Sequence, residues 1–154
     1  MAEVKRRRRW RDDRGAELIE LAIVLPMLLL VFAAIIDFGF LFQRYEVLTN
    51  AAREGARLGV LDGYVEADVD ARVASYLTAA GLTVTGDPTT VTYADHVLST
   101  GKSIRVITVT VLYPAEFYNI GPFAALVTGG NSWSTMTLRA SSTMRTELAA
   151  AGGS

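Results

Sequence analysis

Between Leu21 and Phe42 the chain carries a single ionisable side chain, Asp37, within an otherwise apolar run. A bilayer span needs roughly 20 apolar residues, each adding about 1.5 Å of helix. Ala16 to Asp37 therefore supplies about 32 Å, enough to cross. A secretory signal peptide has a shorter apolar core and a small-x-small cleavage site after it. Here the run closes on Ile35, Ile36, Asp37, Phe38, Gly39, Phe40, Leu41 and Phe42, bulky where such a site belongs. The segment is expected to be retained. Pro26 lies inside it and removes a helical donor, which a span tolerates when neighbours re-satisfy the freed carbonyl. Two readings follow: a kinked anchor, or a point of local unwinding.

The helical period continues past the apolar run. Leu41, Tyr45, Leu48, Ala52, Ala56 and Val60 recur at spacings that share one helix face. Ala51, Gly55 and Gly59 form a second row of small residues, a spacing that lets another helix come close. The partner expected on this stripe is another subunit, with Gly55→Ala tolerated and Gly55→Leu disruptive. The competing reading is that the glycines only weaken a helix that ends near Gly63. Arg53, Glu54 and Arg57 read as a solvated face, with Glu54 pairing to either arginine.

The distal half predicts an α+β domain. Glu66 to Ala80 places Val69, Val73, Tyr76 and Leu77 on one helical face, and Gly81 stops it. Leu82 to Tyr93 alternates like a strand around Gly86-Asp87-Pro88. Ser103 to Tyr113 is apolar on both faces, the mark of a central strand, and Pro114 is expected to end it. Residues 115–133 read as an aromatic loop, either a contact surface or a cover for the sheet, and Ser134 to Thr146 alternates again. The organisation expected is a basic leader over 1–15, a transmembrane helix over 16–43, its continuation over 44–62, the domain over 63–147 and a tail over 148–154.

Charge adds a direction. Residues 1–14 hold seven Lys and Arg against three acids, and the remainder holds eight against thirteen. Basic residues beside a span stay cytoplasmic, so the domain should lie outside the inner membrane. Nucleic acid is a poor partner, because no second basic surface accompanies the arginine run. There is no cysteine, which removes disulfides, lipoprotein anchoring and thiolate chemistry. His96, the only histidine, falls in an expected Tyr93-Ala94-Asp95-His96 turn without a second ligand. Asp68-Val69-Asp70 lacks the glycine and closing glutamate of a calcium loop and reads as an acidic first helical turn. No phosphate loop or nucleophile elbow occurs. Neither a catalytic residue, a metal, a cofactor nor a small-molecule substrate is expected.

The junction between the two regions is the sharpest feature. Lys5 to Arg14 is basic, Gly15 follows, and Glu20 heads the apolar helix. A carboxylate costs roughly 2.5–3.5 kcal/mol at mid-span and less near an interface, so Glu20 calls for a partner. Cleavage after Gly15 would make Glu20 the fifth residue of the product. This arrangement resembles a prepilin-peptidase site. Gly15 to Pro26, then Ile36-Asp37-Phe38-Gly39, then Thr49 to Arg57 resemble the TadE family, minor pseudopilins of tight-adherence (Flp) pilus systems. The likeness covers about residues 15–60, with Asp37 where relatives often have Glu. It implies cleavage between Gly15 and Ala16 by a prepilin peptidase and pairing of Glu20 with the amino terminus of a neighbouring subunit. It further implies pseudopilins or a major pilin as partners in a pilus or related secretion filament. The alternative is an unprocessed single-pass envelope protein that binds a partner through its exported domain.

Overall fold

A computed structural model describes residues 9–83, 85–97, 99, 103–122, 125, 129 and 135–146, with side chains in the first helix described from Gly15 onward. The expected leader and tail lie largely outside these residues. Five elements follow in order: α1 (Arg9–Val60), α2 (Glu66–Ala79), β1 (Thr89–Val97), β2 (Ser103–Glu116) and β3 (Thr135–Arg145). This is the expected α+β class, with one long apolar helix, one further helix and three antiparallel strands. Two compact units divide the chain: Met1–Gly39 with Phe117–Ser134, and Phe40–Glu116 with Thr135–Ser154.

The second unit holds the sheet, in the order β1-β2-β3, with both pairings antiparallel. β2 is central, as its apolar faces predict. One face carries Ile107, Val109, Val111 and Ala115, all buried, flanked by Leu138 and Ala140 of β3. Val69, Val73 and Leu77 of α2 and Leu48, Ala51, Ala52 and Ala56 of α1 are buried in the same unit. Full burial of each Val, Leu or Ile side chain is worth roughly 1.5–3 kcal/mol, so these rows carry the domain. On β2's other face, Thr108 meets Thr143 at 2.9 Å and Thr110 donates to Ser141 at 3.3 Å. These hydroxyl pairs tie adjacent strands.

Local chemistry sets the ends of α2. The Asp68 carboxylate accepts the Val65 N–H at 3.0 Å and so caps the start of the helix. Gly81, at φ +79°, turns the chain, while the Gly81 N–H bonds to the Thr78 carbonyl and the Leu82 N–H to Leu77. That is a Schellman stop, one residue from the predicted end.

Three boundaries differ from expectation. β1 begins at Thr89, after Pro88, and runs to Val97, so His96 lies in a strand opposite Ile104 and not in a turn. Asp95 sits opposite Arg105, whose Nε donates to it at 3.0 Å, and that pair helps carry the strand onward. Pro114 does not end β2; it pairs in register with Thr137. The Leu112 N–H donates to the Pro88 carbonyl, and because β1 starts opposite Val111, Pro114 faces no β1 residue. The donor that Pro114 lacks therefore has no strand to bond.

Candidate functional site

α1 passes through Pro26 without interruption, and its apolar stretch is uncovered. Leu18, Ile19, Ile23, Met27, Leu28, Phe32 and Ile35 each expose more than half their surface. In water so much bare apolar area would drive association, whereas lipid solvates it at no such cost. The helix is long and apolar enough to cross a membrane once.

Gly15, Ala16 and Glu20 lie on the first part of this helix and are exposed. A Cβ added at Gly15 would meet nothing within 4 Å. Space in the folded chain therefore places no limit on the residue at that position. Among the described residues, Glu20 makes no hydrogen bond or ion pair with the rest of the chain.

Asp37, in contrast, is satisfied internally. It is 2% exposed, and its two oxygens are bracketed by the start of a helical turn at Ile120. The Asn119 N–H donates to Oδ1 at 3.1 Å and Oδ2 at 3.0 Å, Asn119 Nδ2 donates to Oδ1 at 2.8 Å, and the Ile120 N–H donates to Oδ2 at 2.7 Å. Two backbone donors and an amide on one carboxylate form a charge-assisted clamp. Sequence reasoning missed its partners. The available signal was Asp37 itself, a lone carboxylate in an uncharged run that had to find donors somewhere.

The small-residue stripe is occupied from within the chain. A Cβ on Gly55 would lie 2.6 Å from Val73 Cγ2 and 3.3 Å from both Val109 Cγ1 and Val69 Cγ1. One on Gly59 would collide with Ile107 Cδ1 and lie 3.1 Å from Val69 Cγ2. Ala51 is fully buried. The stripe thus admits the chain's own α2 and β2, which leaves no surface there for a second subunit. Tolerance of Gly55→Ala is corrected for the same reason, since the stiff Val73 side chain blocks even a methyl group. Glu54 also departs from expectation. Its main partner is Arg72 of α2, at 2.7 Å, and Arg57 stands off at 4.0 Å. Arg72 holds the Glu54 carboxyl below its usual range, burial opposing the shift.

Among the described residues, no three His, Cys, Asp or Glu side chains converge to hold a metal ion. Asp70 is half-buried, with a buried Oδ1 that has no hydrogen-bond partner, and desolvation followed by the charges of Asp87 and Glu66 pushes its carboxyl upward.

The uncovered helix, the exposed Gly15–Glu20 segment and the Asp37 clamp fall within one stretch, and that stretch has relatives. Residues 15–57 match the family described as TadE-like protein. This part of the chain resembles the TadE-like family. The TadE-like match begins at Gly15 and ends at Arg57, so it takes in Glu20, Asp37 and two of the three stripe residues, Ala51 and Gly55. Val65 to Ser154, which holds α2 and the sheet, lies outside it. No curated protein and no solved structure matches the chain.

Proposed function

We propose that the protein is a TadE-like pseudopilin, a non-catalytic subunit that acts in assembly of a tight-adherence pilus or a related secretion filament. The observation that carries this reading is the TadE-like match starting at Gly15, on a helix whose apolar surface the chain leaves bare. The basic leader holds residues 1–14 at the cytoplasmic face, where anionic lipids attract arginine and lysine. A prepilin peptidase cuts between Gly15 and Ala16, and the domain stands outside the inner membrane. Glu20 then pairs with the new amine of Ala16 in a neighbouring pseudopilin or major pilin. Pairing offsets the cost of carrying the charge in an apolar bundle.

Because Gly15 has open space around it, Gly15→Leu leaves the fold intact and alters only what a peptidase meets. In the native host that variant should accumulate in the membrane at full length and fail to restore pili to a deletion strain. Normal pili from the Gly15→Leu strain would refute the reading.

A further inference from the structure

We infer that the Phe117–Pro122 segment, held on Asp37, is a second membrane contact, seated in the headgroup–acyl boundary beside the span. The inference rests on the reading of α1 as a membrane span. Ala16 to Asp37 measures about 32 Å as helix, close to the hydrocarbon thickness of a bilayer. With Ala16 at one surface, Asp37 marks the other. Whatever bonds to the Asp37 carboxylate lies within one side chain of that boundary, and Asn119 and Ile120 do so at 2.7 to 3.1 Å.

The composition of the segment fits that depth. Phe117 to Ser134 contains no charged residue and no histidine, although one residue in five of the whole chain is charged. The same stretch forms one compact unit with the chain up to Gly39. Tyr118 is 58% exposed, and Phe117 and Ile120 are partly so. Aromatic side chains with one polar atom concentrate at membrane interfaces, where the ring meets acyl chains and the hydroxyl meets headgroups. A solvent-facing loop would be expected to carry charge; a loop at an interface gains from lacking it. The occupant of this surface is therefore lipid. Asp37 is a positioning residue that fixes the segment at the boundary.

The cysteine-free chain allows a clean test, because one introduced cysteine carries one nitroxide. Tyr118→Cys, Leu28→Cys and Thr92→Cys would each be made in the full chain, labelled, and reconstituted in phosphatidylcholine–phosphatidylglycerol vesicles. Accessibility to oxygen and to a water-soluble nickel chelate then reports depth. The Leu28 label should be oxygen-rich and closed to nickel, and the Thr92 label open to nickel. The Tyr118 label should fall between them, and adding Asp37→Ala should move it to the Thr92 value while Leu28 stays unchanged. Asn119→Ala, which removes one donor and keeps the carboxylate, should move it part of the way. A Tyr118 label as open to nickel as Thr92, or closed to both reagents as in a protein contact, would overturn the inference. So would a Tyr118 depth that neither Asp37→Ala nor Asn119→Ala changes. A Leu28 label open to nickel would instead overturn the span on which the inference stands.

Discussion

Asp37 and Asn119 are 82 positions apart, yet the carboxylate of one takes both the backbone N–H and the side-chain amide of the other. Hydrogen bonds to a charged group contribute about 1.5–3 kcal/mol each, so the pair decides whether the start of the 117–122 segment is ordered. Asp37→Ala leaves two backbone donors without an acceptor. Hydrogen exchange should accelerate at the Asn119 and Ile120 amides and stay unchanged through α2. Unchanged exchange at both amides would mean that other contacts hold the segment.

Gly55 is one of two close approaches between α1 and the rest of the domain. With Val73 Cγ2 2.6 Å from an added Cβ, Gly55→Ala must displace a β-branched side chain or spread the backbones. Overpacking of this kind costs about 1–3 kcal/mol, more than the roughly 1 kcal/mol that alanine returns in helix propensity. Thermal unfolding of the full chain in detergent should show a lower midpoint for Gly55→Ala and a much lower one for Gly55→Leu. A midpoint equal to or above that of the parent for Gly55→Ala would contradict the packing.

The Glu54–Arg72 pair gives a pH dependence of definite sign. Arg72 depresses the Glu54 pKa in the folded chain, so the contribution is full above the unfolded value and fades as pH falls through the folded one. Both side chains are partly exposed, which limits the pair to about 1 kcal/mol at most. Arg72→Gln should lower stability at pH 7 and make no difference well below pH 4, the usual glutamate range being about 4.3. A difference that persists in acid would point to lost packing of the arginine stem.

Asp70 works in the opposite direction. Its carboxyl is raised, so its ionisation costs stability that is intact below the unfolded pKa and lost as pH rises through the folded one. Asp70→Asn should stabilise the domain at neutral pH, by an amount on the order of 1 kcal/mol, and have no effect in strong acid. Denaturant titrations at the two pH values would check this; destabilisation by Asp70→Asn at pH 7 would disprove it.

What could be read in the sequence follows from how local each signal is. α1, α2 and β3 announce themselves by period and caps, as with Val69, Val73 and Leu77 along one face and Gly81 at the stop, although Tyr76, expected on that face, is exposed. The Ala51–Gly55–Gly59 stripe was legible as close packing, but spacing alone does not say whose side chains fill it. Pro114 misled because its effect depends on where a neighbouring strand begins. The Asp95–Arg105 pairing hid β1's last residues in what resembles a turn. The Asp37 clamp was the least legible, since its donors lie across the whole domain in sequence. Gly15 and Glu20 were legible as a motif, and their roles depend on partners beyond the chain.

Glu20 gives a functional prediction separate from cleavage. Glu20→Gln keeps the shape and hydrogen-bonding capacity but removes the charge that would meet the Ala16 amine. It should be processed like the parent and fail to support pili, as counted by electron microscopy of a complemented deletion strain. Wild-type piliation would make Glu20 a membrane-edge residue without an assembly role.

The central claim is that the chain is processed as a pseudopilin, and the amino terminus of the protein in its own host tests it most directly. Intact-mass and amino-terminal peptide spectrometry should find chains that begin at Ala16, with the 1–15 leader gone wherever the peptidase is active. Chains that still carry Met1 to Gly15 in cells with an active prepilin peptidase would contradict the account.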